Sequence, residues 1–155
     1  MFDRALALQA DAAQTLANKA NELARRGHRE EAVALARRIS AQASNFARGM
    51  RILALARSGL PGEAEAMLSG ADATMEPYRV EVLAALGRPQ DALAALSERA
   101  VGITMLQEWM FEPLFDPLRP DPRFATFLGT LGLTEAHARA QAWRAAHPPE
   151  KPVAK

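Results

Sequence analysis

Leu55-Ala56-Arg57-Ser58-Gly59-Leu60-Pro61-Gly62-Glu63-Ala64 is the middle copy of a phrase, L-A-x-x-G-x-x-x-[E/D]-A, that occurs three times in the chain. The first copy is Leu23-Ala24-Arg25-Arg26-Gly27-His28-Arg29-Glu30-Glu31-Ala32, and the third is Leu83-Ala84-Ala85-Leu86-Gly87-Arg88-Pro89-Gln90-Asp91-Ala92. Their glycines lie 32 and 28 residues apart, the spacing at which self-similarity signals stacked supersecondary units. Read physically, the phrase is the corner of a helical hairpin. Leu and Ala pack at the end of one helix, and Gly takes the left-handed position that a β-carbon disfavours. The acid falls in the first turn of the next helix, where the macrodipole favours it. The Ala that follows lets two helices approach closely. Pro61 and Pro89 suit the first turn of the second helix, where no amide is missed.

Working outward, the chain of 155 residues is long enough for one domain with a proper core, burying about 68–70% of its unfolded surface. Its composition is rich in alanine, and no alternating Val/Ile/Thr run makes a convincing strand, so the fold class is all-α. Net charge is +1, which gives no global case for nucleic acid. Its distribution is uneven: residues 1–57 hold ten Lys/Arg against five Asp/Glu, and 58–98 hold two against seven. That pattern fits two differently solvated surfaces, or a charged face that steers a partner of opposite sign. Absence of cysteine removes disulfides and thiolate chemistry. With an early acid, no apolar leader and no membrane-length apolar run, the chain reads as soluble and cytoplasmic.

Taken in order, residues 2–26 form one long helix or two joined near Asp11, with Leu6, Ala13, Leu16, Ala20 and Leu23 keeping a helical stripe. The spacing predicts a return helix over 29–43 and a second pair beginning near Asn45, whose return helix over 62–69 is short. Pro77 opens a third pair. Tyr78, Val80, Val82, Leu83 and Leu86 are too many for one stripe, so its first helix should be buried on more than one side. Past Gly102, six of the nine aromatics fall between Trp109 and Trp143. A further helix is expected over 103–111. Pro117 and Pro120 then forbid a continuous helix, Asp121-Pro122 starts another that Gly132 ends, and Thr134 caps a last one over 135–146. The domain therefore spans 1–146, with repeats at 13–43, 45–70 and 77–99, closing helices at 103–146 and a flexible tail at 147–155.

The repeated phrase resembles the turn of a tetratricopeptide repeat, over residues 13–99. That resemblance implies a superhelix of antiparallel helix pairs whose concave side holds a protein or peptide. The stretch Phe115-Asp116-Pro117-Leu118-Arg119-Pro120-Asp121-Pro122-Arg123-Phe124 resembles the closing segment of tetratricopeptide regions in bacterial signalling proteins. It implies a regulatory or ligand-sensing part of a larger regulator, or a stand-alone relative. The lysine–asparagine arrangement by which some such domains clamp a terminal carboxylate is not reproduced, because Ala17 stands where its lysine is expected.

No catalytic set assembles. His28, His137 and His147 are not spaced as a metal motif, and neither a phosphate-binding glycine loop nor a nucleophile elbow occurs. The reading is therefore of a non-enzyme without cofactor or metal. In a repeat array the first helices of successive pairs line the concave side. This places Gln14, Asn21 and Arg25 from the first pair, Phe46 and Arg57 from the second, and Tyr78 and Glu81 from the third along a groove. Asn21 with Arg25 could grip a carboxylate or backbone amides. The expected partner is a protein or peptide, or a second copy of the chain; membrane and nucleic acid are not expected. An enzyme or small-molecule binder would instead need a deep pocket lined by Tyr78, Glu81 and Trp109. Trp109, Phe111, Phe115, Phe124 and Phe127 either seal the end of the array or leave a hydrophobic docking surface.

Overall fold

The computed structural model describes residues 2, 12–70, 76–98 and 110–148. Most of the N-terminal stretch ahead of Ala12, most of the helix expected over 103–111 with its Trp109, and residues 149–155 of the tail lie outside them. Among the described residues the chain is helix and connecting turn without a strand, so the fold is all-α. In chain order the helices are α1 (Ala13–Arg25), α2 (Arg29–Arg38), α3 (Asn45–Arg57), α4 (Pro61–Ser69), α5 (Glu76–Ala85) and α6 (Pro89–Glu98). A 3-10 helix (Pro113–Leu118) follows, then α7 (Pro122–Thr130) and α8 (Thr134–Ala146).

The repeated phrase maps onto the turns residue by residue. Gly27, Gly59 and Gly87 have φ of 81°, 82° and 70°, the left-handed region. Each glycine amide donates to the carbonyl of the phrase's Ala, at 3.1, 3.2 and 3.1 Å. The amide of the next residue donates to the carbonyl of the phrase's Leu, at 2.9, 3.1 and 2.9 Å. This paired pattern is the Schellman motif, which satisfies carbonyls that the helix end leaves without partners. On the far side, the amides of Ala32, Ala64 and Ala92 make the first bonds of the next helix, to His28, Leu60 and Arg88. All three alanines are fully buried, as a close helix contact requires. A fourth corner has the same geometry: Gly132, φ 67°, donates to Gly129, and Leu133 donates to Leu128.

Helix α1 packs along α3, and α3 along α5, so the three first helices form a row, each backed by its hairpin partner. Tyr78 on α5 lies over Gly49 on α3, where any β-carbon would run into the ring, and it packs edge-to-face with Phe46, ring centroids 6.3 Å apart. Tyr78, Val80, Val82, Leu83 and Ala84 are all buried, as the crowded apolar pattern of α5 demands. Arginines stitch neighbouring pairs. Arg51 on α3 donates to the carbonyl of Ile39 at the end of α2, Arg37 pairs with Glu63 on α4, and Arg88 pairs with Glu65.

Several boundaries differ from the sequence reading, and α4 and α5 each begin one residue early, at Pro61 and Glu76. Helix α2 stops at Arg38 rather than running to Ala43. Ile39 is extended, Ser40 bonds the amide of Gln42, and Ser44 caps α3 through the amide of Ala47, so short polar side chains take the backbone out of the helix. Helix α8 begins at Thr134, one residue early, with Leu133 rather than Thr134 in the capping position.

The closing segment packs on α5 and α6. Pro117 is accommodated inside the short 3-10 helix, and Asp121 caps α7 ahead of Pro122 as expected. Phe115, Leu118, Phe124, Phe127 and Leu128 join the core, with Phe111 half-buried, so these aromatics seal rather than expose this end. Trp143 on α8 is the exception: it is 62% exposed and stacks on His147.

Candidate functional site

Asn18, Asn21, Glu22 and Arg25 share one face of α1, and Phe46, Met50, Leu53 and Arg57 share one face of α3. These two faces, with Glu81 of α5, wall a cavity of about 220 Å³. Glu112, Leu114 and Phe115 close its far side, and Phe2 also contributes to the lining. Its most buried lining residues are Met50, Leu53, Phe115 and Glu81, while Arg25 is the most exposed of its charged ones.

Arg57 is the hub of the rim. One terminal nitrogen donates to Asn21 Oδ1 at 2.7 Å and the other to Glu112 Oε2 at 3.0 Å. The second Glu112 oxygen accepts from Arg25 at 3.1 Å. Asn21 completes its bonds through Nδ2, directed at the Met50 sulfur at 3.3 Å. The network joins α1, α3 and the segment ahead of the 3-10 helix. Burial lowers the pKa of the Arg57 guanidinium, and the Glu112 carboxylate opposes that shift.

Glu81 stands apart from this network. It is 1% exposed, and among the described residues neither carboxylate oxygen has a hydrogen-bond partner. Burial pushes its pKa well above the usual carboxylate range; Arg57 opposes the shift and Glu112 adds to it. A buried polar group without a partner is a standing cost to the fold, so its presence calls for a reason.

Five of the seven groove residues named from the sequence, Asn21, Arg25, Phe46, Arg57 and Glu81, converge on this cavity. Gln14 is exposed, one turn and more before Asn18, and does not line it. Tyr78 is buried against Gly49 and Phe46 and does not line it either. Nor do Asn21 and Arg25 stand open as a clamp, since Arg57, Met50 and Glu112 already engage them. Glu112 was not anticipated. It lies 87 residues from Arg25 in the chain, and nothing local distinguishes it from any other acid beside a proline.

Histidines are placed away from the cavity. His28 is exposed and faces Glu31 at 3.6 Å, and His147 is exposed beside Trp143. His137 is buried between Phe111 and Phe124 and in contact with Arg119, and burial lowers its pKa. Among the described residues no cluster of three or more His, Cys, Asp or Glu could hold a metal ion. No helix among them is long and apolar enough to cross a membrane. Arginines of the first third do not share a face: Arg25 and Arg57 rim the cavity, while Arg37 and Arg51 bind α4 and the end of α2.

Compared with known proteins, the chain matches no family model, no curated protein and no solved structure.

Proposed function

We propose that the chain is a tetratricopeptide-like array that binds a protein or peptide without catalysis, in bacterial cytoplasmic regulation or assembly. The observation that carries this reading is the convergence of α1, α3 and α5, the first helices of three successive hairpins, on one cavity lined by both charged and apolar side chains. Such a row is what a stacked array offers a ligand. Charged groups on the rim are positioned by one another, which favours recognition of a defined partner over a featureless hydrophobic contact. The closing segment packs on the last hairpin, where a terminal unit must cover its neighbour's apolar face. That placement also suits a regulatory domain of a larger signalling protein, in which the same cavity would sense a ligand.

The test is selection from a random-peptide display library on the purified chain. Selected peptides should lose binding to Asn21→Ala with Arg25→Ala, and to Asn18→Trp, which fills the mouth of the cavity. Peptides that bind all of these variants as well as the parent would show that the cavity is not the site.

A further inference from the structure

The polar atoms of the cavity are unequally supplied with partners. Arg25, Arg57, Asn21 and Glu112 bond one another, and the nearby Glu22 is bonded by Arg26 at 2.7 Å. Among the described residues the two oxygens of Glu81 accept nothing; the residue belongs to the cavity wall, but both oxygens are shut off from solvent, so the side chain has to turn toward the cavity to meet a ligand. What Glu81 lacks is therefore a donor, and Arg57, a cation that shares the cavity lining with it, is already engaged by Asn21 and Glu112. Phe46, Met50 and Leu53 form the adjoining apolar surface, which suits a chain of methylenes, and an aromatic face favours a cation near it.

We propose that Glu81 is a recognition residue whose carboxylate accepts hydrogen bonds from an ammonium or guanidinium group at the end of a lysine or arginine side chain. This rests on reading the cavity as the peptide site. A cation that enters in exchange for the Glu81 carboxyl proton, released to solvent, forms an ion pair and leaves the net charge of the cavity unchanged. The cost of burying the carboxylate is then met by a partner rather than by protonation. Burial favours the protonated carboxyl of Glu81, so binding should tighten as pH rises. Among the described residues the other charged or titratable groups around it are Glu22 and Arg25 from α1, Arg57 from α3, Tyr78 on α5 itself, and Glu112.

The experiment is a titration of the isotopically labelled full chain with n-butylammonium and n-propylguanidinium chloride, followed by amide and carboxyl chemical shifts. Sodium butyrate and n-butanol at matched ionic strength are the comparisons. Both cations should give saturable shifts centred on Phe46, Met50 and Glu81, with the Glu81 carboxyl carbon moving to its ionised position. Butyrate and butanol should not. Glu81→Gln keeps the shape and removes the charge, and should weaken cation binding by about tenfold or more, the worth of one charge-assisted hydrogen bond. Its amide spectrum, otherwise unchanged, shows that the variant is folded. Cations that fail to saturate, equal binding to Glu81→Gln, or a preference for butyrate would each overturn the proposal. Cations that bind at Glu81 while no library peptide enters the cavity would overturn the peptide reading and leave the cation site standing. Peptides that bind without competition from either cation would do the reverse.

Discussion

Gly59 and Gly62 sit three residues apart, and the structure asks opposite things of them. Around both, a β-carbon would meet open space. Gly59, however, has φ of 82°, while Gly62 lies in the first turn of α4 with no such requirement. Gly59→Ala should therefore destabilise by about 1–2 kcal/mol through backbone strain alone. Gly62→Ala should stabilise by about 0.4–1 kcal/mol, by restricting the unfolded chain. Urea unfolding of the two variants checks both signs. Glu81 makes a second prediction at this scale. Unfolded, it loses its proton near the ordinary carboxylate value; folded, it keeps the proton to higher pH. Between those values the folded state binds more protons, so this residue's contribution to stability is lost as pH rises. Glu81→Met should remove the unpartnered carboxyl and stabilise the protein at neutral pH by about 1–3 kcal/mol. Melting curves taken from about pH 4 to about pH 7 should show that advantage growing with pH. An advantage that shrinks over that range would mean that the carboxylate is ionised and partnered in the fold.

Among elements, what matters is how hairpins are held to one another and to the closing segment. Arg57 and Glu112 are both largely buried, with side chains 13% and 20% exposed, and their pairing crosses from α3 to the segment before the 3-10 helix. A double-mutant cycle on Arg57→Ala and Glu112→Ala should give a coupling of about 1–3 kcal/mol. Arg37 and Glu63 pair at a similar distance but are 59% and 34% exposed, so the same cycle there should give less than about 1 kcal/mol. Equal couplings would mean that the rim is no better organised than the surface. This is also the scale at which the sequence was most legible. L-A-x-x-G encodes the last turn directly, because its Leu and Ala supply the carbonyls and its Gly the left-handed residue that bonds them. The fourth corner escaped the pattern because Gly129 replaces the Ala and one residue fewer separates Gly132 from Glu135. The end of α2 was misjudged because Ser40 and Ser44 act through local bonds that apolar periodicity does not register.

For the whole molecule, the row of first helices determines which residues meet, and sequence periodicity conveys only part of that. Asn21, Arg25, Phe46, Arg57 and Glu81 were legible as neighbours of one cavity because each lies on a predictable face of its own helix. Tyr78 was misplaced because the gap that accepts its ring is made by Gly49 on a different helix. Glu112 was missed for a related reason, since its role depends on a contact between distant parts of the chain. The central claim is that ligand enters between α1 and α3, under Glu112. Amide hydrogen exchange of the chain, with and without the tightest peptide selected on it, tests that most directly. Exchange should slow along the cavity faces of α1 and α3 and across residues 110–115, and Asn18→Trp should abolish the effect. Protection confined to α2, α4 or α8, unaffected by that substitution, would contradict it.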